Sequence, residues 1–421
     1  MKLRKWLIFA LCLVMAFGVF TLVACNDDPG PDPDVPEDDY ATPGLLYNPI
    51  RNLEGDITGY TVGLGNVEAE EIVVPKYHSG KPVVSVGIDA EDLLHLMQDY
   101  GVAEMTPSLQ KAFFRQYSIC YSDTITKITL PDSLQSLGYG AFIGNTNLKE
   151  ITVPGSVESI TDYAFSQCFA LEEVNFVDEG NLFYIGYRAF YDCLRLSQLE
   201  LPDSVETIDD RAFERTAEFK DYGDGLQTIK LGSGLTSIGE YAFYRCYGLT
   251  EIEIPNSVRE IGEYAFSECE NLKTVKIGSG MKTIPGYLCW ASGVETLIIS
   301  DGVLKIDEQA FFGCESLTTV ELGNTLEEIC SAAFWACKSI EKIVLPDSCT
   351  TVGSAAFELC SKLKEVTLGH DIIFIDSNAF SVAGGMGVSY PEKIYYNGTY
   401  AEYEHVGGNG APPASMVSFL K

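Results

Sequence analysis

The sequence predicts a solenoid in which short β-strands and turns stack rung upon rung. This prediction rests on three observations: a dipeptide that recurs along the chain, an alternation of apolar residues before each copy of it, and turn-forming residues between the alternation and the dipeptide. Self-similarity at such a period is typical of stacked supersecondary units. The dipeptide Ala-Phe recurs about every 23 residues, and Leu288-Cys289 replaces it once. Its occurrences are Ala141-Phe142, Ala164-Phe165, Ala189-Phe190, Ala212-Phe213, Ala242-Phe243, Ala265-Phe266, Ala310-Phe311, Ala333-Phe334, Ala356-Phe357 and Ala379-Phe380.

Residues 148–171 illustrate one predicted rung. Ile151 and Val153 alternate with Glu150 and Thr152, which predicts a short strand with the apolar side chains inward. The Pro-Gly pair that follows is a turn signal, because proline presets φ and cannot donate to a β ladder. The phenylalanine of Ala-Phe is the largest residue of the rung, and we expect it to fill the core.

A single rung cannot bury its apolar side, so neighbouring rungs must share one continuous core and the ends need caps. We expect about eleven β-rich rungs of about 23 residues, with short helical or 3-10 turns. The period is lost over Ile88–Tyr117, where Glu91–Tyr100 and Pro107–Tyr117 look helical and Ala112-Phe113 is a candidate displaced rung. This segment is either a cap or a specificity insert. The excess residues Glu218–Gly225 predict a loop.

The N-terminus has the pattern of an export signal. Lysine and arginine precede an apolar run from Trp6 to Leu22, and Leu22-Val23-Ala24-Cys25 resembles the bacterial lipobox. That resemblance implies that the chain is cleaved before Cys25 and that Cys25 receives lipid. The lipid would then attach the protein to the membrane. The alternatives are an ordinary signal peptide or an uncleaved anchor helix.

Charge restricts the class of partner. The chain has 28 Lys+Arg against 60 Asp+Glu, a formal net charge of −32. Such a field disfavours nucleic acid and anionic lipid headgroups. It suits either a solvated surface or a basic partner. The segment after Cys25 is rich in proline and acid, which predicts a disordered tether.

Seven of the 13 cysteines fall in one column of the repeat. Each follows the rung phenylalanine by three residues, which indicates small buried packing residues. Disulfides between adjacent rungs would be close enough but poorly aimed, so we expect free thiols. The column comprises Cys168, Cys193, Cys246, Cys269, Cys314, Cys337 and Cys360, whereas Cys120, Cys289, Cys330 and Cys349 lie outside it.

Catalytic and metal-binding signatures are absent from the sequence. The histidines His78, His95, His370 and His405 are isolated, and no C-x-x-C, Walker loop, G-x-S-x-G or H-E-x-x-H motif occurs. We therefore expect no enzyme activity, no cofactor and no metal.

The repeated unit L-x-x-I-x-L-P-x-S-V-x-x-I-G-x-x-A-F-x-x-C is similar to the BspA-type leucine-rich repeat of bacterial surface proteins. Residues 249–269 match it closely, the stretch from Glu71 to Gly87 is similar to the entry segment of these arrays, and the stretch from Ile394 to Tyr400 is similar to their closing segment. The resemblance implies a leucine-rich repeat solenoid at the bacterial surface and, for some members, adhesion to host proteins or other cells. It implies no catalytic residues.

These observations divide the chain into five segments. A lipoprotein signal peptide spans residues 1–24 and an acidic, proline-rich tether spans 25–44. An N-terminal cap with a helical insert covers 45–120, the leucine-rich repeat array covers 121–385, and a C-terminal cap covers 386–421.

Aromatic residues recur at two positions flanking the rung phenylalanine, which predicts an aromatic strip along one edge. The strip comprises Trp290, Phe312, Trp335, Tyr241, Tyr264 and Tyr287. Exposed aromatics mark protein interfaces or sugar platforms, although rings stacked between rungs would stabilise a solenoid without any ligand. A second candidate surface is the outward strand face, which includes Thr274, Thr296, Thr319, Ile298 and Val344.

Two functional hypotheses follow. The first is a lipid-anchored surface protein, adhesin- or receptor-like, with a protein or glycan partner. The alternative is a structural or decoy surface protein without a single high-affinity ligand.

Overall fold

The computed structural model describes residues 41–52, 54–88, 114–177, 180–215, 225–382 and 389–421. The predicted signal 1–24, Cys25 and the tether up to residue 40 lie outside this part, as do Glu91–Tyr100 and Ala112-Phe113. Of Pro107–Tyr117 only residues 114–117 are described, and they are helical, as expected. Of the predicted loop Glu218–Gly225 only Gly225 is described. The chain forms two compact units, Met1–Leu182 and Phe183–Lys421.

The first unit contains an antiparallel entry hairpin followed by parallel strands. One ladder has the order β1-β2-β5-β7-β9, with β4 on β5, and a second has the order β10-β8-β6-β3. The strands are β1 Leu46–Arg51, β2 Ile57–Gly63, β3 Glu71–Val73, β4 Tyr77–His78, β5 Lys81–Val86, β6 Lys127–Thr129, β7 Ser136–Leu137, β8 Glu150–Val153, β9 Ser159–Ile160 and β10 Glu173–Phe176.

The second unit repeats the same rung. Its long strands are β12 Gln198–Glu200, β14 Thr228–Lys230, β16 Glu251–Ile254, β18 Thr274–Ile277, β20 Thr296–Ile299, β22 Thr319–Glu321, β24 Lys342–Val344, β26 Glu365–Leu368, β28 Lys393–Tyr396 and β29 Val417–Phe419. Its short strands are β11 Tyr184–Ile185, β13 Thr207–Ile208, β15 Ser237–Ile238, β17 Glu260–Ile261, β19 Thr283–Ile284, β21 Lys305–Ile306, β23 Glu328–Ile329, β25 Thr351–Val352 and β27 Phe374–Ile375.

The long strands of unit 2 form three ladders, β12-β14, β16-β18-β20-β22 and β24-β26-β28-β29, and the short strands form the ladders β11-β13-β15-β17 and β19-β21-β23-β25-β27. Within each ladder, successive rungs pair in parallel and in register. Glu251 of β16 faces Thr274 of β18, and Thr274 faces Thr296 of β20. Because register is kept, equivalent residues form columns along each unit. Most inward apolar residues of the long strands are buried, and Phe176, Val320 and Phe419 are half-buried.

The repeat array has more rungs at both ends than the Ala-Phe dipeptides predict. Within the described residues, the ladders built from the main strand of each rung have four strands in unit 1, namely β3, β6, β8 and β10, and ten in unit 2, against about eleven predicted rungs. The additional strands are β3, β28 and β29. They come from the predicted cap segments, because these segments join the array through the same parallel ladder.

The predicted core is confirmed. The phenylalanine of every rung is buried, and in unit 2 the rings of successive rungs stack almost parallel. Phe213 and Phe243 have ring centroids 5.1 Å apart at 4°, and Phe334 and Phe357 are 5.0 Å apart at 3°. In the described part of unit 2, Cys289 interrupts the stack between Phe266 and Phe311.

The cysteine column has a hydrogen-bonding role that the spacing did not reveal. The Sγ of Cys337 donates to the carbonyl of Phe311 at 3.3 Å, and the same bond runs from Cys314 to Cys289 at 3.1 Å. Ser292 takes the position once and donates from Oγ to the Phe266 carbonyl at 2.6 Å. The column residue therefore donates to a buried carbonyl of the preceding rung. The carbonyls of Phe311 and Cys289 also accept a backbone N–H, from Cys314 at 3.3 Å and from Ser292 at 3.2 Å. All cysteines in the described part of the chain are buried and free.

Both ends carry short helical or 3-10 segments. At the entry, Arg115 donates from Nε to the Gly65 carbonyl at 2.7 Å and from Nη2 to the Val67 carbonyl at 2.8 Å, which ties the helical turn to the end of β2. At the exit, a short helix spans Tyr400–Tyr403 and a 3-10 turn spans Ala414–Met416. No helix among the described residues is long and apolar enough to cross a membrane.

Candidate functional site

The predicted strip lies on the segment around each rung phenylalanine, which we call the hook; in the rung of Phe266 it is residues 263–269. Hooks adopt left-handed backbone at two positions, two residues before and two residues after the phenylalanine. In this rung Tyr264 has φ 59° and Glu268 has φ 54°. Residues other than glycine rarely adopt this conformation. Tyr241, with φ 57°, and Tyr287, with φ 58°, are further cases.

Hydrogen bonds between rungs hold the hooks in this shape. Phe243 donates its N–H to the Ala265 carbonyl at 2.8 Å, and Tyr241 donates to the Glu263 carbonyl at 3.0 Å. Arg245, also left-handed, donates to the Ser267 carbonyl at 3.0 Å. The hooks thus form a further parallel ladder beside the two strand ladders, and their outward side chains are repeated at fixed positions.

Three of the predicted strip residues form a tyrosine stack. The rings of Tyr241 and Tyr264 are 4.8 Å apart at 1°, and those of Tyr264 and Tyr287 are 4.5 Å apart at 9°. Arg211 lies over the outer face of Tyr241 at 4.2 Å, and Gln309 donates to the Tyr287 hydroxyl at 3.2 Å. Burial is the main cause that raises the pKa of Tyr264, followed by its neighbours Tyr287, Tyr241 and Glu263.

The other three residues form a separate stack. The rings of Trp290 and Phe312 are 6.2 Å apart at 15°, and those of Phe312 and Trp335 are 4.4 Å apart at 11°. All six rings are half-buried. The single predicted strip is therefore two stacks of three rings in different columns of the hook, and each ring covers a face of its neighbour.

Sequence reasoning missed a polar network that adjoins the tyrosine stack. Tyr244 packs edge-on against Tyr241 at 5.3 Å and donates its hydroxyl to Glu268 at 2.6 Å. Arg245 lies over the Tyr244 ring at 4.7 Å and pairs with Glu268 at 2.8 Å. Burial alone would raise the pKa of Glu268, but the hydrogen bonds from Arg245 and Tyr244 outweigh it, and the pKa is lowered.

A groove of about 790 Å³ opens beside the same stack. Its lining includes the carboxylates Glu260, Glu263 and Asp307 and the cations Arg259 and Lys282. Gly286, which immediately precedes Tyr287, also lines it. The equivalent positions of neighbouring hooks are Glu240, Glu263 and Glu308. The sequence shows the glycine at this position of the hook. Its position next to these carboxylates follows only from the register of the neighbouring hooks.

The second candidate surface, the outward strand face, has the expected register. Thr274, Thr296 and Thr319 lie side by side, as do Lys276, Ile298 and Glu321. Lys276 pairs with Glu253 at 3.4 Å across the ladder. Val344 on this face is 49% exposed. The face is mixed in charge and size, so it indicates no ligand type. Cys25 lies outside the described residues, and within them no group of three or more His, Cys, Asp or Glu side chains could hold a metal ion.

The parallel rungs, buried apolar columns and hooks define a leucine-rich repeat solenoid. A profile of the BspA type leucine rich repeat region matches residues 113–222, 216–299 and 282–404, in six copies. The chain belongs to this family.

Several solved structures are similar to this chain. A leucine-rich repeat protein from Bacteroides ovatus is 21% identical and has a TM-score of 0.50; the match covers 91% of this chain and 100% of that one. A leucine rich cell surface protein from Faecalibacterium prausnitzii is 22% identical with a TM-score of 0.41, over 88% of this chain and 97% of that one. The pneumococcal vaccine antigen PcpA is 18% identical with a TM-score of 0.42, over 90% and 98%. A search of curated proteins gave no match.

Proposed function

We propose that the protein is a lipid-anchored bacterial surface protein that binds a protein or glycan partner through its leucine-rich repeat scaffold, in the manner of an adhesin or receptor. Family membership supports a surface role, since the solved structure from F. prausnitzii is described as a leucine rich cell surface protein. The lipobox-like Leu22-Val23-Ala24-Cys25 supports export and anchoring through Cys25.

The observation that carries the binding role is the pair of aromatic stacks on the hooks. Six large rings stand half-buried at repeated positions of an otherwise acidic surface. Aromatic side chains are the commonest anchors of protein interfaces because they bury large area at low conformational cost. Repeat scaffolds present such positions at fixed spacing.

A binding screen with a matched pair of variants tests this proposal. The soluble body, residues 40–421, is offered to a panel of host matrix proteins and to a glycan array. We expect saturable binding to at least one partner, and we expect the double substitution Trp290→Ala and Trp335→Ala to weaken it by at least about tenfold. The control pair is Thr274→Ala and Thr319→Ala on the strand face.

Two results would contradict the proposal. If no partner binds across a wide panel, the alternative of a structural or decoy surface protein is favoured. If the tryptophan variant binds normally but melts at a lower temperature, the rings serve only packing between rungs.

A further inference from the structure

We propose that the groove over Gly286, together with the adjoining tyrosine stack, receives a lysine or arginine side chain from a basic segment of a partner protein. This inference rests on the proposed function, because it names the class of partner for the same surface.

The groove exists because one hook lacks a side chain. A Cβ placed on Gly286 would lie 3.0 Å from the Glu308 carbonyl oxygen and 3.9 Å from Oε1 of Glu263. Glu263 therefore extends along the opening that Gly286 leaves. Among the described residues, the carboxylate of Glu263 has no hydrogen-bond or ion-pair partner. The groove thus presents a carboxylate without a direct partner beside vacant space.

Two cations also line the groove. Arg259 donates from Nη1 to the carbonyls of Asn256 and Gly280, both at 3.1 Å. Lys282 donates from Nζ to the Gly302 carbonyl at 3.3 Å. These bonds to neutral carbonyls leave both positive charges in place, so the lining has three carboxylates against two cations. Of the other carboxylates, Glu260 accepts from Ser237 at 3.2 Å and Asp307 lies 3.7 Å from Lys305. Glu263 is the carboxylate of the lining that has no such partner among the described residues, so we assign it to the incoming cation.

The tyrosine stack favours a cationic partner over a sugar. The two faces of Tyr264 are covered by Tyr241 and Tyr287, so a sugar ring cannot stack on it. A guanidinium can reach the stack, since the chain places its own Arg211 over Tyr241. The net charge of −32 would also attract a basic segment over long range.

The test uses the full chain and a fluorescent hexalysine peptide, with a hexaglutamate peptide for comparison. Anisotropy is measured at low and at physiological ionic strength. We expect hexalysine to bind and hexaglutamate not to bind. Glu263→Gln and Glu263→Lys should weaken hexalysine binding by about fivefold or more.

The matched control is Glu321→Lys, which makes the same charge change at an exposed position on β22. We expect it to change the affinity by less than about twofold. Equal weakening by Glu263→Lys and Glu321→Lys would show attraction to net charge alone and would overturn the inference, as would the absence of hexalysine binding. Circular dichroism confirms that the variants are folded.

The outcomes also separate this inference from the proposed function. If the screen finds a partner whose binding depends on Trp290 and Trp335 but not on Glu263, the proposed function stands and the groove inference fails. If hexalysine binds at Glu263 but the screen finds no partner, the groove is a cation site and the adhesin-like function loses its support.

Discussion

Leu288 and Cys289 replace the alanine and phenylalanine of the other hooks, and both are fully buried. Their backbone keeps the ladder, since Phe266 donates to the Leu288 carbonyl at 2.9 Å and Cys289 donates to the Ala310 carbonyl at 2.8 Å. A larger residue at the first position thus accompanies a smaller residue at the second. Because protein interiors are close-packed, we infer that the two changes compensate each other in volume.

A double-mutant cycle tests this compensation. Cys289→Phe alone should overpack the core and cost about 1–3 kcal/mol, and Leu288→Ala alone should leave a cavity that costs about 2–5 kcal/mol. The double variant restores the Ala-Phe of the other rungs, and we expect it to be more stable than the sum of the two costs predicts. Urea denaturation measures all four proteins. Simple additivity would show that the two positions are independent.

At the scale of the element, the hook is stabilised by hydrogen bonds that its carbonyls accept as well as by its buried core. Its left-handed residues cost about 1–2 kcal/mol each where they are not glycine. The cost is offset by bonds that a single rung cannot make, including the thiol bond from the next rung to the phenylalanine carbonyl. Ser292 shows that a hydroxyl can replace the thiol in this role.

Substitutions at Cys337 separate hydrogen bonding from packing. Cys337→Ala removes the side-chain donor of the Phe311 carbonyl, which keeps the N–H of Cys314 at 3.3 Å. We therefore expect the free energy of unfolding to fall by about 0.5–1.5 kcal/mol. Cys337→Ser keeps a donor, so it should cost clearly less. The two variants are compared by urea denaturation in the presence of a reductant. Equal losses would mean that the thiol acts only as a small apolar side chain.

At the scale of the whole molecule, the buried thiols make stability depend on alkaline pH. Burial raises the pKa of the Cys168 and Cys314 thiols to about 12, and it holds the pKa of Cys269, Cys289 and Cys337 well above the ordinary value. An unfolded thiol has a pKa of about 8.5. The unfolded chain therefore releases protons that the folded chain keeps. The stabilising contribution is complete below the unfolded pKa and is lost as the pH rises above it.

We accordingly expect the free energy of unfolding to fall steeply between about pH 8.5 and the folded pKa of about 12. Each thiol that ionises only in the unfolded chain contributes about 1.4 kcal/mol per pH unit. Lysine and tyrosine titrate in the same range, so the decisive comparison is with a Cys314→Ser, Cys337→Ser and Cys360→Ser variant. In this range, the free energy of unfolding of the variant should fall less steeply with pH, and the difference should equal the contribution of about three thiols. If the free energy of unfolding falls with pH equally steeply in both proteins, the buried thiols are not the cause of the alkaline loss of stability.

The sequence by itself determined the repeated rung, because a 23-residue period of apolar residues can be buried only by stacking one unit on the next. It also identified the buried phenylalanines, the cysteine column and the residues of the aromatic strip. The larger number of long strands was hidden, since β3, β28 and β29 pair through backbone bonds without the Ala-Phe signature.

Only the tertiary structure decided how these residues meet. The left-handed backbone of Tyr264, the division of the strip into two stacks and the groove over Gly286 all depend on contacts between residues more than twenty positions apart. A linear pattern records which residue occupies a column. It does not record the direction of its side chain or what the neighbouring rung places against it, because both are fixed by the register of the ladders.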